Sequence, residues 1–308
     1  MRRRPSVRAI APIVITVVLA TALVVASASA QGAGPPQGVL DGIRDTYRVA
    51  SSGWRARLLP IAQSTFLILA GVEFAVSGMI WSLRRDSLDE IAAKFLLKFT
   101  LIAFLLAVLT AFTAWLPPIM NGFAVAGERA IGRGLVSPST IVDIGRETGA
   151  KVLEQLSFGV MLKDPVMAMV AAIAAMIIAF SYVWIAAQLV LVMVESYLVV
   201  LGGGVLFFGF ASSRWTASFA ENIVGYAFYI GAKMFLLYLI VGVGADVARS
   251  SIPLIQGSDF FGPVSPMMEV LGGAVMFAVV ATVVPTRVAG RLTHNQSFGI
   301  AHALRALG

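Results

Sequence analysis

The chain has 308 residues, 58% of them hydrophobic and 13% charged, with no cysteine and a mean hydropathy of +0.88. A soluble domain carries about 25% charged residues, so this composition points to a membrane protein. It excludes a disulfide scaffold and a thiolate metal site, and it argues against a large soluble catalytic domain, because no long stretch has mixed polar composition.

The net charge is +7. Arg2, Arg3, Arg4 and Arg8 precede the first apolar run, and residues 1–30 hold no acid; the rest of the chain carries only +3. The high pI is therefore a property of the N-terminal segment and not a nucleic-acid footprint.

Residues 1–30 have the layout of a bacterial signal peptide. A basic start is followed by the apolar run Ala9 to Ala26 and the small-x-small site Ala28-Ser29-Ala30. An uncleaved signal anchor is the alternative, because the apolar run is long. Either reading places residue 31 outside the cytoplasm and makes 31–57 a periplasmic N-terminal segment.

A helix needs about 20 apolar residues to cross the hydrocarbon core. Leu58 to Leu83 is the first such stretch. Phe95 to Met120 is the second, with Trp115 as interface anchor and Pro117-Pro118 as the expected helix stop. Val166 to Phe210 is one very long apolar stretch, and Asn222 to Ala245 and Met267 to Pro285 complete the set. As one straight helix, Val166 to Phe210 would run about 65 Å, twice the core thickness. Two readings fit it: a long span bent at Gly202, Gly203 and Gly204, or a hairpin turning near Glu195.

Arg84, Arg85, Lys94 and Lys98 flank the first short loop, which makes it cytoplasmic. The loop 117–165 is then periplasmic, and the basic tail 286–308 is cytoplasmic. A periplasmic start and a cytoplasmic end require an odd number of spans. The expected fold is all-α: a polytopic transmembrane helical bundle over 58–285, about five spans after a signal peptide, with one broken or re-entrant segment. Arg44, Arg48, Arg55 and Arg57 lie on the outer side in this arrangement, against the charge bias.

No Gly-Lys pair occurs, so there is no phosphate loop. His294 and His302 are polar surface groups rather than ligands, and no nucleophile–base motif is present. No cofactor, metal or enzymatic activity is expected. The informative residues are the intramembrane charges Glu73, Glu195 and Lys233, each of which must face protein or water. They either line a conduit or pair, as Glu195 with Lys233, to lock helices together. Lys98 lies near a span end, where it can snorkel. Ala171, Ala175 and Ala179 form a small-residue stripe suited to close packing, within the bundle or between subunits. In the outer loop, Thr140 and Asp143 fit a capping box opening a helix to about Leu156. Arg214 beside Trp215 marks a candidate interface turn: it either anchors a helix end or contacts an acidic partner or a nucleic-acid phosphate.

The segment Gly209-Phe-Ala-Ser-Ser-Arg-Trp-Thr216 resembles the Gly-Phe-Gly-Gly-Ser-Arg-Trp-Thr signature of the TrbL family of conjugal transfer proteins. The run Lys233 to Gly244, Ser137-Pro138-Ser139 with Ile141 to Gly145, and Asn121-Gly122 extend that resemblance over roughly residues 50–290. Ala211 and Ser212 replace the paired glycines, which puts a tight backbone approach there in question. The tail after Pro285 is short where many relatives carry a long polar extension, so little cytoplasmic docking surface is expected.

The resemblance implies an inner-membrane structural and channel-forming subunit of a type IV secretion machine. Its implied partners are the ATPases, the coupling protein, the bitopic scaffold subunits and pilus components. Further copies of the chain, a single-stranded DNA–relaxase substrate and membrane lipid are also implied. A stand-alone secondary transporter of a small solute is the alternative, suited by the Gly202–Gly204 break and Glu195.

Overall fold

The computed structural model describes residues 38–84, 87–132, 137–155, 165–255, 266–293 and 299–306; the expected signal peptide lies outside these. Among the described residues the fold is helical throughout, with no strand. In chain order the helices are α1 (Val39–Arg84), α2 (Leu88–Thr110), α3 (Phe112–Ile131), α4 (Pro138–Glu154) and α5 (Pro165–Tyr197). A broken segment follows: a π-helical turn (Leu198–Gly203), the short α6 (Gly204–Phe208) and a 3-10 turn (Gly209–Ser212). Then come α7 (Ala217–Ile255), α8 (Pro266–Thr293) and the short α9 (Ile300–Ala306).

Among the described residues, five segments are long and apolar enough to cross a membrane: Ala56–Arg84, Leu88–Thr110, Val166–Val200, Ala217–Ile255 and Pro266–Thr293. They overlap the five apolar stretches of the sequence, and the fold is the expected polytopic bundle with one broken element. Several exceed the bilayer. α1 has 46 residues, about 69 Å at the helical rise, so its charged first half extends beyond any 30 Å core.

The second stretch is organised differently from the expectation. α2 ends at Thr110, the chain bends at Ala111, and α3 runs straight through Pro117 and Pro118. Pro117 and Pro118 fall in the second turn of α3, where each forgoes one i→i−4 hydrogen bond and the helix continues past the loss. α3 ends instead at Gly132, whose φ of 69° is the left-handed conformation glycine adopts freely. Pro285 likewise sits inside α8, which continues to Thr293.

The ambiguity between Val166 and Phe210 resolves at the glycines. α5 passes Glu195 without turning, and the ladder widens to π-helical spacing over Leu198–Gly203. Glu195 does not break the helix because a partner meets its charge. Residues without a Cβ let the wider turn form and let Phe112 press on the backbone: a Cβ on Gly204 would lie 3.0 Å from the Phe112 ring.

Small residues set the helix contacts. α4 lies along α5, with Gly145 facing Tyr182 and Gly149 so close that a Cβ there would sit 3.2 Å from the Ala175 carbonyl oxygen. The alanine stripe thus meets a Gly-x-x-x-Gly stripe of the same chain, and Ala171 and Ala175 are buried. α4 starts one turn earlier than its expected capping box. Ser137 is the cap, its Oγ accepting the Thr140 N–H at 3.2 Å, and Pro138 takes the first helical position, where its fixed φ fits and its missing N–H costs nothing. α3 packs on α7 through Phe123 over Gly231 and Ile131 over Gly242, and α7 meets α8 where Phe277 covers Gly244.

Candidate functional site

Two clusters of intramembrane charge emerge, one expected and one not. On α5 and α7, the Lys233 ammonium donates to Glu195 Oε2 at 3.3 Å. The Lys233 side chain is 14% exposed and that of Glu195 35%, so this pair is only half sealed. The two residues are 38 positions apart, and the turn that follows Gly209–Ser212, where Ser213 is extended, returns the chain so that α7 runs beside α5.

The second cluster is centred on Glu73, which the sequence left without a partner. Its side chain has no exposure, nor has that of Lys98, and the two are joined at 2.7 Å. Lys98 therefore does not snorkel. It sits ten residues into α2, about 15 Å from that helix's start, and the nearby carboxylate compensates its charge in place. Glu73 and Lys98 lie at equal sequence distance on either side of Arg85-Asp86, so antiparallel α1 and α2 bring them to one level. That symmetry was readable in the sequence.

Arg214 completes the cluster. Its Nε donates to Glu73 Oε1 at 2.8 Å, its backbone N–H to Glu73 Oε2 at 3.2 Å, and its Nη2 to Ser77 Oγ at 2.6 Å. The Ser213 hydroxyl adds a bond to Glu73 Oε2 at 3.4 Å, and Lys98 also donates to Ser77. The guanidinium of the candidate interface turn thus points into the α1–α2 hairpin. Trp215 stands beside it, its ring centroid 5.5 Å from Arg214 Cζ, and is 55% exposed. Lys98 lies 5.8 Å from the centroid of the Trp81 ring, whose buried indole N–H has no acceptor among the described residues.

The 3-10 turn that precedes Arg214 is fastened to α1 by close contacts. A Cβ on Gly209 would lie 2.7 Å from the Ala62 carbonyl oxygen, and the buried Ser212 hydroxyl donates to the Phe66 carbonyl at 2.8 Å. Thr216 Oγ1 donates to the Phe210 carbonyl at 2.8 Å. The close approach therefore falls on Gly209. Ala211 and Ser212, the positions that depart from the paired glycines, are buried with their Cβ atoms accommodated. Together the turn and the hairpin form a charged knot in which both Glu73 carboxylate oxygens face a cation, an N–H or a hydroxyl.

Residues 70–285 match the family of the TrbL/VirB6 plasmid conjugal transfer protein. The chain is 28% identical over 263 residues to a protein named conjugal transfer protein TrbL of Rhizobium radiobacter, covering 85% of this chain and 64% of that one. It is 28% identical over 254 residues to the probable conjugal transfer protein TrbL of Sinorhizobium fredii, covering 82% and 63% respectively. The match thus spans less than two thirds of the length of these relatives. The matched region contains Glu73, Lys98, Glu195, Arg214 and Lys233.

Proposed function

This chain belongs to the TrbL/VirB6 plasmid conjugal transfer family, and from that membership we propose that it is an inner-membrane structural and channel-forming subunit of a type IV secretion machine. In this role it is not an enzyme. It helps to pass a nucleoprotein substrate and supports pilus assembly, working with the machine's ATPases, coupling protein, bitopic scaffold subunits and pilus components, and with further copies of itself. The observation that carries the reading is the coincidence of the family match over 70–285 with the five apolar helices.

The test is genetic and direct. Removing the gene from a donor strain should lower conjugation frequency by orders of magnitude, and supplying the chain in trans should restore it. The tagged chain should float with inner-membrane vesicles and co-purify with other secretion subunits. Unchanged transfer, together with uptake of a solute by cells expressing the chain alone, would establish the transporter alternative.

A further inference from the structure

A strip of polar side chains runs across the apolar helices α5 and α7. On α7, Asn222, Tyr226, Tyr229 and Lys233 follow at spacings of four, three and four, which sets them on one helix face. The ion pair carries the strip from Lys233 to Glu195 on α5, and Gln188 lies two turns from Glu195 on the same side of that helix. Tyr226 and Tyr229 stack with ring centroids 5.8 Å apart, and Tyr226 stands within electrostatic reach of Glu195. By helical rise the strip from Asn222 to Gln188 is about 27 Å long. It is also open. Tyr226 is 42% exposed, Asn222 is exposed, and Tyr229, Glu195 and Gln188 are partly so. Among the described residues no hydrogen bond engages the amides of Asn222 and Gln188. Elsewhere the chain seals its polar groups within spans: Glu73, Lys98 and Ser212 have no exposure.

Lipid is a poor neighbour for this face. The 39 residues of α7 rise about 58 Å, and the strip covers roughly 7–35 Å of that length from the Ala217 end. A hydrocarbon core of about 30 Å, set anywhere along α7 and in either orientation, therefore takes in part of the strip. Charges and unpaired amides against lipid tails are costly. A closely packed helix is a poor neighbour too. The helix contacts of this chain run over Gly145, Gly149, Gly231, Gly242 and Gly244, whereas the strip is made of long side chains. Water satisfies every group in it. We infer that this strip is the chain's share of the wall of a water-filled passage that further copies of the chain close. This rests on the reading of the chain as a channel-forming subunit. Glu195 and Lys233 cancel, so the wall offers amides, hydroxyls and aromatic rings without net charge. Such a surface makes many weak contacts with an extended polar chain and traps none of it, as conduction requires.

The experiment uses the full chain in a transfer-competent donor. The chain has no cysteine, so Tyr226→Cys and Gln188→Cys each carry a single thiol, as does the control Phe104→Cys on an exposed apolar position of α2. Charged, water-soluble methanethiosulfonates are added to spheroplasts and to inverted membrane vesicles. They should modify positions 226 and 188 about tenfold or more faster than position 104, because a charged reagent does not enter hydrocarbon. Labelling at 226 and 188 no faster than at 104 would overturn the inference, whether lipid or a packed subunit covers the strip. Combining Tyr226→Cys with Lys233→Ala leaves the Glu195 charge alone in the wall. The ratio of cationic to anionic reagent rates at 226 should then rise about threefold or more. An unchanged ratio at normal abundance would overturn the place of the pair in the wall. If Lys233→Ala lowers abundance, the single-cysteine chains decide. A bulky reagent at 226 should suppress transfer, and complete labelling with transfer unchanged would overturn the assignment to the passage. A gene deletion without effect on transfer would remove the proposed function. Dependence of transfer on the gene with an unlabelled strip removes only the wall.

Discussion

Glu73 and Glu195 are both carboxylates within spans, and both face lysine, yet their surroundings set different sensitivities. Glu73 is sealed and holds two cations. Glu73→Gln leaves Lys98 and Arg214 adjacent with no counter-charge, which costs about 3–5 kcal/mol by analogy with broken buried pairs. Membrane abundance of this variant should collapse. Glu195 is a third exposed at 3.3 Å from Lys233, so water or lipid headgroups take part of its charge. Its coupling to Lys233 should be about 1 kcal/mol or less. Glu195→Ala and Lys233→Ala should each reduce abundance mildly, and the double variant should recover part of the loss; strictly additive losses would argue against the pair. The sequence made the 195–233 pair readable because each residue interrupts a long uncharged run. It hid the Glu73 knot because Arg214 lies 141 positions away in a turn that reads as a helix end.

At the scale of elements, close helix approaches depend on residues without side chains. A Leu at position 149 would meet the Ala175 carbonyl, which cannot yield, so α4 must lift from α5. Gly149→Leu should therefore destabilise this contact by about 1–3 kcal/mol. The chain has no cysteine, so an engineered pair reports the docking cleanly. Asp41 on α1 is hydrogen bonded to Ser139 at the start of α4, and Asp41→Cys with Ser139→Cys should form a disulfide in membranes. Adding Gly149→Leu should reduce its yield; an undiminished yield would show that α4 is held by other contacts.

Among the described residues, length and hydropathy found the five apolar helices in the sequence, the second of them with shifted ends, because an apolar run of 20 residues is a signal that needs no partner. The bends were harder. Pro117-Pro118 carries a breaker signal, but the chain bends at Ala111, where Phe112 turns to pack on Phe208 and Trp115 at 5.7 and 5.3 Å. That choice is tertiary and leaves no local mark. The triple glycine was legible as a break, and the structure gives it a cause in the pressure of Phe112 on Gly204.

For the whole molecule the decisive quantity is which end of each span faces the cytoplasm. Arg44, Arg48, Arg55 and Arg57 on the outer side oppose the positive-inside bias. The structure shows what these cations meet locally. Arg44 contacts Asp45 at 3.0 Å and Asp41 at 3.5 Å, and Arg48 contacts Asp45 at 3.5 Å, so two of the four cations are paired along the first turns of α1. The length of α1 puts its charged half beyond the hydrocarbon core, because the two halves together are over twice that thickness. We therefore expect reporter fusions after residues 90, 140 and 308 to read cytoplasmic, periplasmic and cytoplasmic. Single cysteines sharpen the same test within α1. Val49 and Val72 are both exposed on the helix surface. Val49→Cys should react with a membrane-impermeant maleimide added from the periplasmic side, because it stands in the charged half. Val72→Cys should not, because it lies in the apolar half against lipid. Reaction at 72, or a periplasmic signal after residue 308, would require a different set of crossings; protection at 49 would draw the charged half of α1 into the bilayer or under another subunit.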